Sequence, residues 1–220
     1  MNSNEVSSSS SVRELGLSID SGLTMATHVS IVARNCFYQL RRIRQAKKGL
    51  DEASVKTLVQ ALVLSRLDYC NSILANLPDV TLAPLVRVQH SAARLIRNLT
   101  KRDSVLPVMM ERHWLPLRFR ITFKLCVLMH GVHYGSGPKY LADMVVPISS
   151  LPGRERLRSA GSLNYDICRT RLKFTEHSFA VSGPTAWNSL PLELKQTSNV
   201  MKFKKLLKSH LFLLAYSKLS

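Results

Sequence analysis

VSIVARNCFYQLRRIRQAKK, residues 29–48, carries two patterns at once. Val29, Val32, Cys36, Leu40 and Ile43 return every three or four residues, which places them on one face of a helix. Arg34, Arg41, Arg44 and Lys48 stand at offsets of 0, 7, 10 and 14. At about 100° per residue they gather in one sector opposite the apolar face. The spacing predicts a helix over 24–48, stopped by Gly49. Asp51 is placed to cap a second helix, whose stripe of Val55, Leu58, Val59, Leu62, Leu67, Cys70 and Leu74 runs to the Asn-Leu-Pro at 76–78. So short a connection predicts that the two helices pack antiparallel.

Working outward, a third helix is predicted over 81–99, with Pro84 tolerated in its first turn. It repeats the cationic spacing with Arg87, Arg94, Arg97 and Lys101. A fourth covers 104–113 and uses Pro107 in the same way. A fifth opens at Pro116 and ends near Gly135, and a short one follows in PKYLADMVV. Upstream, VRELGLSIDSGL (12–23) alternates and ends in Asp-Ser-Gly, which reads as one short strand with few partners nearby. Between residues 147 and 191 the helical period is lost, and LNYDI and HSFAV read as strands. Ser198 then caps a last helix with Val200, Phe203, Leu207, Leu211 and Leu214 as its apolar positions.

The expected fold is therefore mostly α: an antiparallel helical bundle with an irregular, partly β basic segment and a terminal helix. It divides into a serine-rich disordered tail over 1–11, a helical region over 12–146, the irregular segment over 147–197 and the last helix over 198–220. The chain of 220 residues is long enough to bury one sizeable core or two small ones. The tail lacks the apolar core of a secretory signal, and no apolar run approaches the ~18 residues that span a bilayer. Cys36, Cys70, Cys126 and Cys168 lie far apart, without the paired spacing of a zinc ribbon or a disulfide framework. These features predict an intracellular protein, nuclear or cytoplasmic.

Thirty-one lysines and arginines face 14 acids, a formal charge of +17 that self-repels unless an anionic partner relieves it. Nucleic acid is the first expectation and an acidic membrane surface the second. A solvated face must be polar in any case, yet the two helical stripes carry almost no acids of their own, which favours phosphates. A third basic region, Arg154, Arg156, Arg158, Arg169, Arg171 and Lys173 with Tyr165 and Phe174 interleaved, reads equally as a base-stacking strand or an ordinary loop. Cys126, His130 and His133 share a helix face as zinc ligands sometimes do, but they lack a fourth group and read better as core. No strained nucleophile, carboxylate pair or glycine-rich phosphate loop stands out, so no catalytic residue, metal or cofactor is expected. The expected contacts to the RNA or DNA backbone are Arg34, Arg41, Arg44, Lys48, Arg87, Arg94, Arg97 and Lys101.

Five blocks then carry a resemblance: RLDYCNSILANLP (66–78), VQHSAARLIRN (88–98), HWLPLRFRITFKL (113–125), GPKYLADMVVP (137–147) and SFAVSGPTAWNSLPLEL (178–194). In order and spacing they resemble the carboxy-terminal part of the polymerase of jockey-like non-long-terminal-repeat retrotransposons. The 12–23 segment resembles the last stretch beside the palm of that enzyme. The resemblance implies a thumb-like region over 12–146 that holds primer-template duplex by its backbone, with the polymerase palm as a further partner in a longer protein. It also implies a chain without catalysis of its own, because the family's paired aspartates lie upstream of these blocks. The expected rivals are a protein-interaction or inert fragment and, for the lysine-rich last helix, attachment to acidic membrane. SGPTAWNSLPLEL is expected to be structural, with Trp187 and Leu190 packing while Pro184 and Pro191 hold a turn.

Overall fold

The computed structural model describes residues 11–151, 163–168 and 173–217. The described residues open with β1 (Ser11–Glu14) and β2 (Leu17–Asp20), paired antiparallel with Ser11 opposite Asp20. The single strand expected here is thus a hairpin, each half being the partner the other needed, and Ser11 belongs to it rather than to the tail. The signal missed is the turn, where Leu15 and Gly16 both have positive φ, 46° and 82°. A turn of that hand matches the strand twist, but leucine is an unusual first residue for it. Asp20 then accepts from the Thr24 amide at 2.9 Å and leads into α1 (Ala26–Ala46). The Tyr69 hydroxyl donates to the Leu15 carbonyl at 2.8 Å, and the Ser18 amide to His28 Nδ1 at 3.4 Å, so the hairpin is pinned at its tip and its second strand.

After one 3-10 turn (Lys47–Gly49), Asp51 caps α2 (Glu52–Val59) by accepting from the Ser54 amide at 3.0 Å, as expected. The continuous helix expected to 74 is not continuous. α2 widens into a π turn (Gln60–Leu64), resumes as α3 (Ser65–Asp68), and breaks where Cys70 turns left-handed before a 3-10 turn (Asn71–Leu74). The buried residues explain the widening. Val55, Val59, Val63 and Leu67 are all at most 1% exposed and stand four apart. In an α-helix each four-residue step overshoots a full turn by about 40°, so three steps would carry the stripe off the core face. A wider turn, with the Ser65 amide reaching back to the Gln60 carbonyl, brings it back. The antiparallel packing on α1 is present: Cys36 lies against the Val63 carbonyl at 3.9 Å, about equally far from the connecting turn on both sides.

α4 (Asp79–Arg97) begins two residues before the expected start, behind Pro78, so Pro84 sits inside it and not in its first turn. α5 (Leu106–Glu111) and α6 (Leu117–His133) follow, the latter opening at Pro116 as expected. At the end of α6, Gly137 folds back so closely that a Cβ there would lie 2.9 Å from Gly131 C, and its amide donates to the Gly131 carbonyl at 2.8 Å. The two glycines exist for that approach. α7 (Lys139–Ala142) is a single turn.

HSFAV, expected as a strand, is the start of α8 (Phe179–Asn188), which runs through Gly183 and Pro184. Pro184 therefore holds no turn; Pro191 does, at the head of α9 (Leu192–Lys195). Gly183 lets α8 close on α6, since a Cβ there would meet Met129 Sδ at 2.9 Å. α10 (Val200–Tyr216) is capped by Asn199, whose side chain accepts from the Lys202 amide, and not by its neighbour Ser198. Its buried positions are Phe203, Leu207, Leu211 and Tyr216, while Val200 and Leu214 are 41% and 49% exposed. The molecule is mostly α, and buried residues from Met25 to Tyr216 join in one core cluster.

Trp187 knots the carboxy-terminal part. It is fully buried, its Nε1 donates to the Leu163 carbonyl at 2.7 Å, and its ring lies 5.9 Å from Phe203 and 5.2 Å from His133. Beside it Asn188 brackets Tyr165, accepting from its amide at 2.9 Å and donating to its carbonyl at 2.8 Å. The nearly buried Lys195 ammonium donates to Asn164 Oδ1 at 2.7 Å and to the Asn188 carbonyl at 3.1 Å. The expected packing role of SGPTAWNSLPLEL is therefore present. The arginines 154, 156, 158, 169 and 171 of the third basic region lie outside the described residues, as does the chain before residue 11.

Two outcomes follow from this packing. Trp187→Ala should cost about 3–5 kcal/mol of unfolding free energy, read by urea denaturation with circular dichroism, because it opens a cavity and orphans the Leu163 carbonyl. Burial lowers the pKa of His28, His90, His130 and His133 below the ordinary 6.5. The unfolded chain therefore binds protons that the folded one refuses. Stability is fully present above about pH 6.5 and falls as the pH drops below it, so the melting temperature should decline from about pH 7.5 to about 5.5. His130→Gln, which keeps a donor for the Thr197 carbonyl, should flatten that decline.

Candidate nucleic-acid interface

α1 and α4 lie side by side with their carboxy-terminal ends together. The junction is made by Lys47, in the turn after α1. Its ammonium donates to the last carbonyls of α4, those of Leu95 and of Ile96 (3.1 Å), and to Asn98 Oδ1 at 2.7 Å. Asn98 is left-handed at φ 55°, and its amide and that of Leu99 both reach the Arg94 carbonyl. The exposed carbonyls of α4 thus end on a cation borrowed from the neighbouring helix, a stabilising placement for the negative end of a helix dipole.

Around this junction opens a groove of about 1160 Å³. Arg41, Arg44, Lys47 and Lys48 line one side, Arg94 and Lys101 the other, and Phe37, Leu40, Leu95 and Leu99 contribute apolar wall. Glu52 is the one carboxylate among the lining residues. Cations belong at helix carboxy termini, so part of this charge has an ordinary explanation. The magnitudes decide how much: two helix ends supply roughly one negative elementary charge between them, against six cations and one glutamate in the lining. The groove remains strongly positive.

The structure brings together five of the eight residues that the sequence singles out: Arg41, Arg44, Lys48, Arg94 and Lys101. Arg34 and Arg87 are exposed but lie about two turns back along their helices, outside the groove lining. Arg97 departs from expectation. Its Nη2 donates to both Glu111 oxygens at 2.5 and 2.6 Å, and its Nη1 lies 3.6 Å from Glu52. The stripe of α4 has no acids of its own, but α2 and α5 supply them from across the fold. The Glu111 carboxyl is held below its usual range by that hydrogen bond. Arg112 joins the same cluster through Glu52. Among the described residues Arg34, Arg41, Arg44, Lys48, Arg87 and Lys101 make no ion pair with a carboxylate.

Sequence reasoning missed Lys47. Counted along α1 it falls outside the arginine sector, on the apolar side that packs on α4, and from there its ammonium reaches the end of that helix. Arg94 is half-buried, and its Nε has no hydrogen-bond partner. Burial, then the nearby Arg94, lowers the pKa of His90 one turn before it, so that imidazole adds no charge at neutral pH.

The three residues with zinc-like spacing are each engaged in the core. Cys126 is buried and its thiol pushed up to about 12. His130 Nε2 lies 2.9 Å from the Thr197 carbonyl and stacks on Phe203, while His133 Nδ1 lies 3.1 Å from the Tyr165 hydroxyl. No group of three or more metal-ligating side chains is poised for an ion among the described residues, and no helix there is long and apolar enough to cross a membrane. No family model, curated protein or solved structure matches the chain.

If Lys47 closes the end of α4, Lys47→Met should loosen the amides it organises. Hydrogen exchange at Asn98 and Leu99 should quicken on the order of fivefold, while amides in the middle of α4 keep their protection.

Proposed function

We propose that the chain is a non-catalytic, thumb-like remnant of a retrotransposon RNA-directed DNA polymerase that holds RNA or DNA by the phosphate backbone in the α1–α4 groove. The observation that carries this reading is the convergence of six lysines and arginines, from two helices and the turns that follow them, on a groove with one carboxylate in its lining. Apolar wall between the cations lowers the local dielectric and strengthens their pull on a phosphate. Readout is of the backbone, because the lining offers guanidinium and ammonium groups and few of the amides that read base edges. The five sequence blocks supply the family and the polymerase context. A protein partner such as a polymerase palm is the second reading, and it rests on the exposed Leu206, Leu213 and Leu214 of α10.

The test is a salt titration of binding to a labelled RNA–DNA duplex. Each arginine that neutralises a phosphate releases condensed counterions, so the combined Arg41→Gln, Arg44→Gln and Arg94→Gln variant should flatten the log–log salt slope by about two to three units. Arg97→Gln should leave the slope unchanged while lowering the melting temperature, because its partners are Glu111 and Glu52. An unchanged slope in a folded triple variant would make the groove ordinary surface and hand the lead to the protein-partner reading.

A further inference from the structure

On the far side of the Glu52–Arg112 ion pair from the groove lies a second cavity, of about 590 Å³. That volume falls within the range of small-ligand sites. It is built by four parts of the fold: α2 with its π turn, α3 with the turn after it, the α5–α6 connection with α6, and α10. Its lining combines three chemistries.

Lys56 from α2, Lys124 from α6 and Lys208 from α10 converge on it, and none of them pairs with a carboxylate among the described residues. The other two cations are already engaged, Arg120 by Asp68 and Arg112 by Glu52. His113, Trp114 and Phe123 contribute rings. Their wall is held from behind, since the His113 ring lies 5.4 Å from Phe212 and the Tyr216 hydroxyl donates to the Trp114 carbonyl at 2.6 Å. His113 is also kept left-handed at φ 51°, a conformation a non-glycine residue adopts at a cost.

The third chemistry is Asn71. It is 2% exposed, it lines the cavity, and its Oδ1 has no hydrogen-bond partner. A buried amide oxygen without a partner costs roughly 1–3 kcal/mol, so a hydrogen-bond donor brought to it through the cavity would be stabilised there. The Arg112 Nε in the same lining is likewise buried and unpartnered.

We infer that this cavity binds a nucleoside phosphate, with Lys56, Lys124 and Lys208 on the phosphate, the rings against the base, and the Asn71 amide on its polar edge. Three unpaired ammonium groups suit a dianion, and ring walls suit a flat apolar body. A buried amide suits a ligand with donors and acceptors along one edge. The nucleotide can be free or can be the phosphorylated end of a strand; both present the same chemistry. The cavity and its residues are distinct from the groove, so this inference stands or falls independently of backbone binding there.

The experiment is isothermal titration of the full chain with AMP, adenosine, pyrophosphate and a 5′-phosphorylated single-stranded oligonucleotide. AMP should bind saturably, and adenosine and pyrophosphate should each bind about tenfold or more weakly, since each lacks one half of the recognition. Lys124→Ala combined with Lys208→Ala, both at exposed positions, should weaken AMP by about tenfold or more with helicity unchanged. The groove variant of Arg41, Arg44 and Arg94 should leave AMP affinity unaltered. Competition by the oligonucleotide assigns the site to a strand end, and its failure assigns it to the free nucleotide. Absence of saturable AMP binding, pyrophosphate binding as tight as AMP, or indifference to the double lysine variant would overturn the inference.

Discussion

α6 sets the terms for the whole molecule. Leu117, Ile121, Leu125, Cys126, Met129 and His130 are buried, and Phe119, Phe123, Val127 and Val132 pack partly buried between them, so apolar atoms cover most of its circumference and only Arg118 and Lys124 stand exposed. A helix of that kind has little face to offer water and is stable only when most of its sides are covered. The cover comes from distant parts of the chain: α4 and the 3-10 turn at Asn71–Leu74, then α8 and α10. The last two meet α6 through fitted contacts, Gly183 against Met129 for α8 and Phe203 against His130 for α10. The irregular carboxy-terminal composition thus still ends in core.

Much of this was legible in the sequence. The helices α1, α4 and α6, the apolar stripe of α1, the Asp51 cap and the packing of Trp187 follow from spacing and residue type alone. What escaped was decided by tertiary contact. HSFAV has strand composition, but it becomes helix because Gly183 lets that segment close on Met129 of α6, and local propensity yields to that burial. The hairpin escaped because its turn begins with leucine, outside the usual turn vocabulary.

The same distinction holds at the groove. Periodicity along one helix finds Arg41, Arg44 and Arg94, since side chains on a common face stay together whatever surrounds them. It does not see what another helix sets opposite that face, so Arg97 looked free in the sequence and is held by Glu52 and Glu111 in the fold. Lys47 is the converse, off the sector by counting and central by structure. For a charged stripe, the informative quantity is the balance of both signs after packing.

The π turn at Gln60–Leu64 carries one residue more than an α-helix of the same span requires. Loss of one codon inside it would leave a plain helix in which Val59 and Leu67 still share a face, now seven positions apart when counted along the original numbering less one. The same loss elsewhere in α2 or α4 would rotate everything downstream by about 100° and turn the core stripe toward solvent. The segment is thus a point where related chains can differ in length and still fold alike. Because Gln60 and Leu64 also line the smaller cavity, such a length difference would alter the shape of that cavity while sparing the architecture around it.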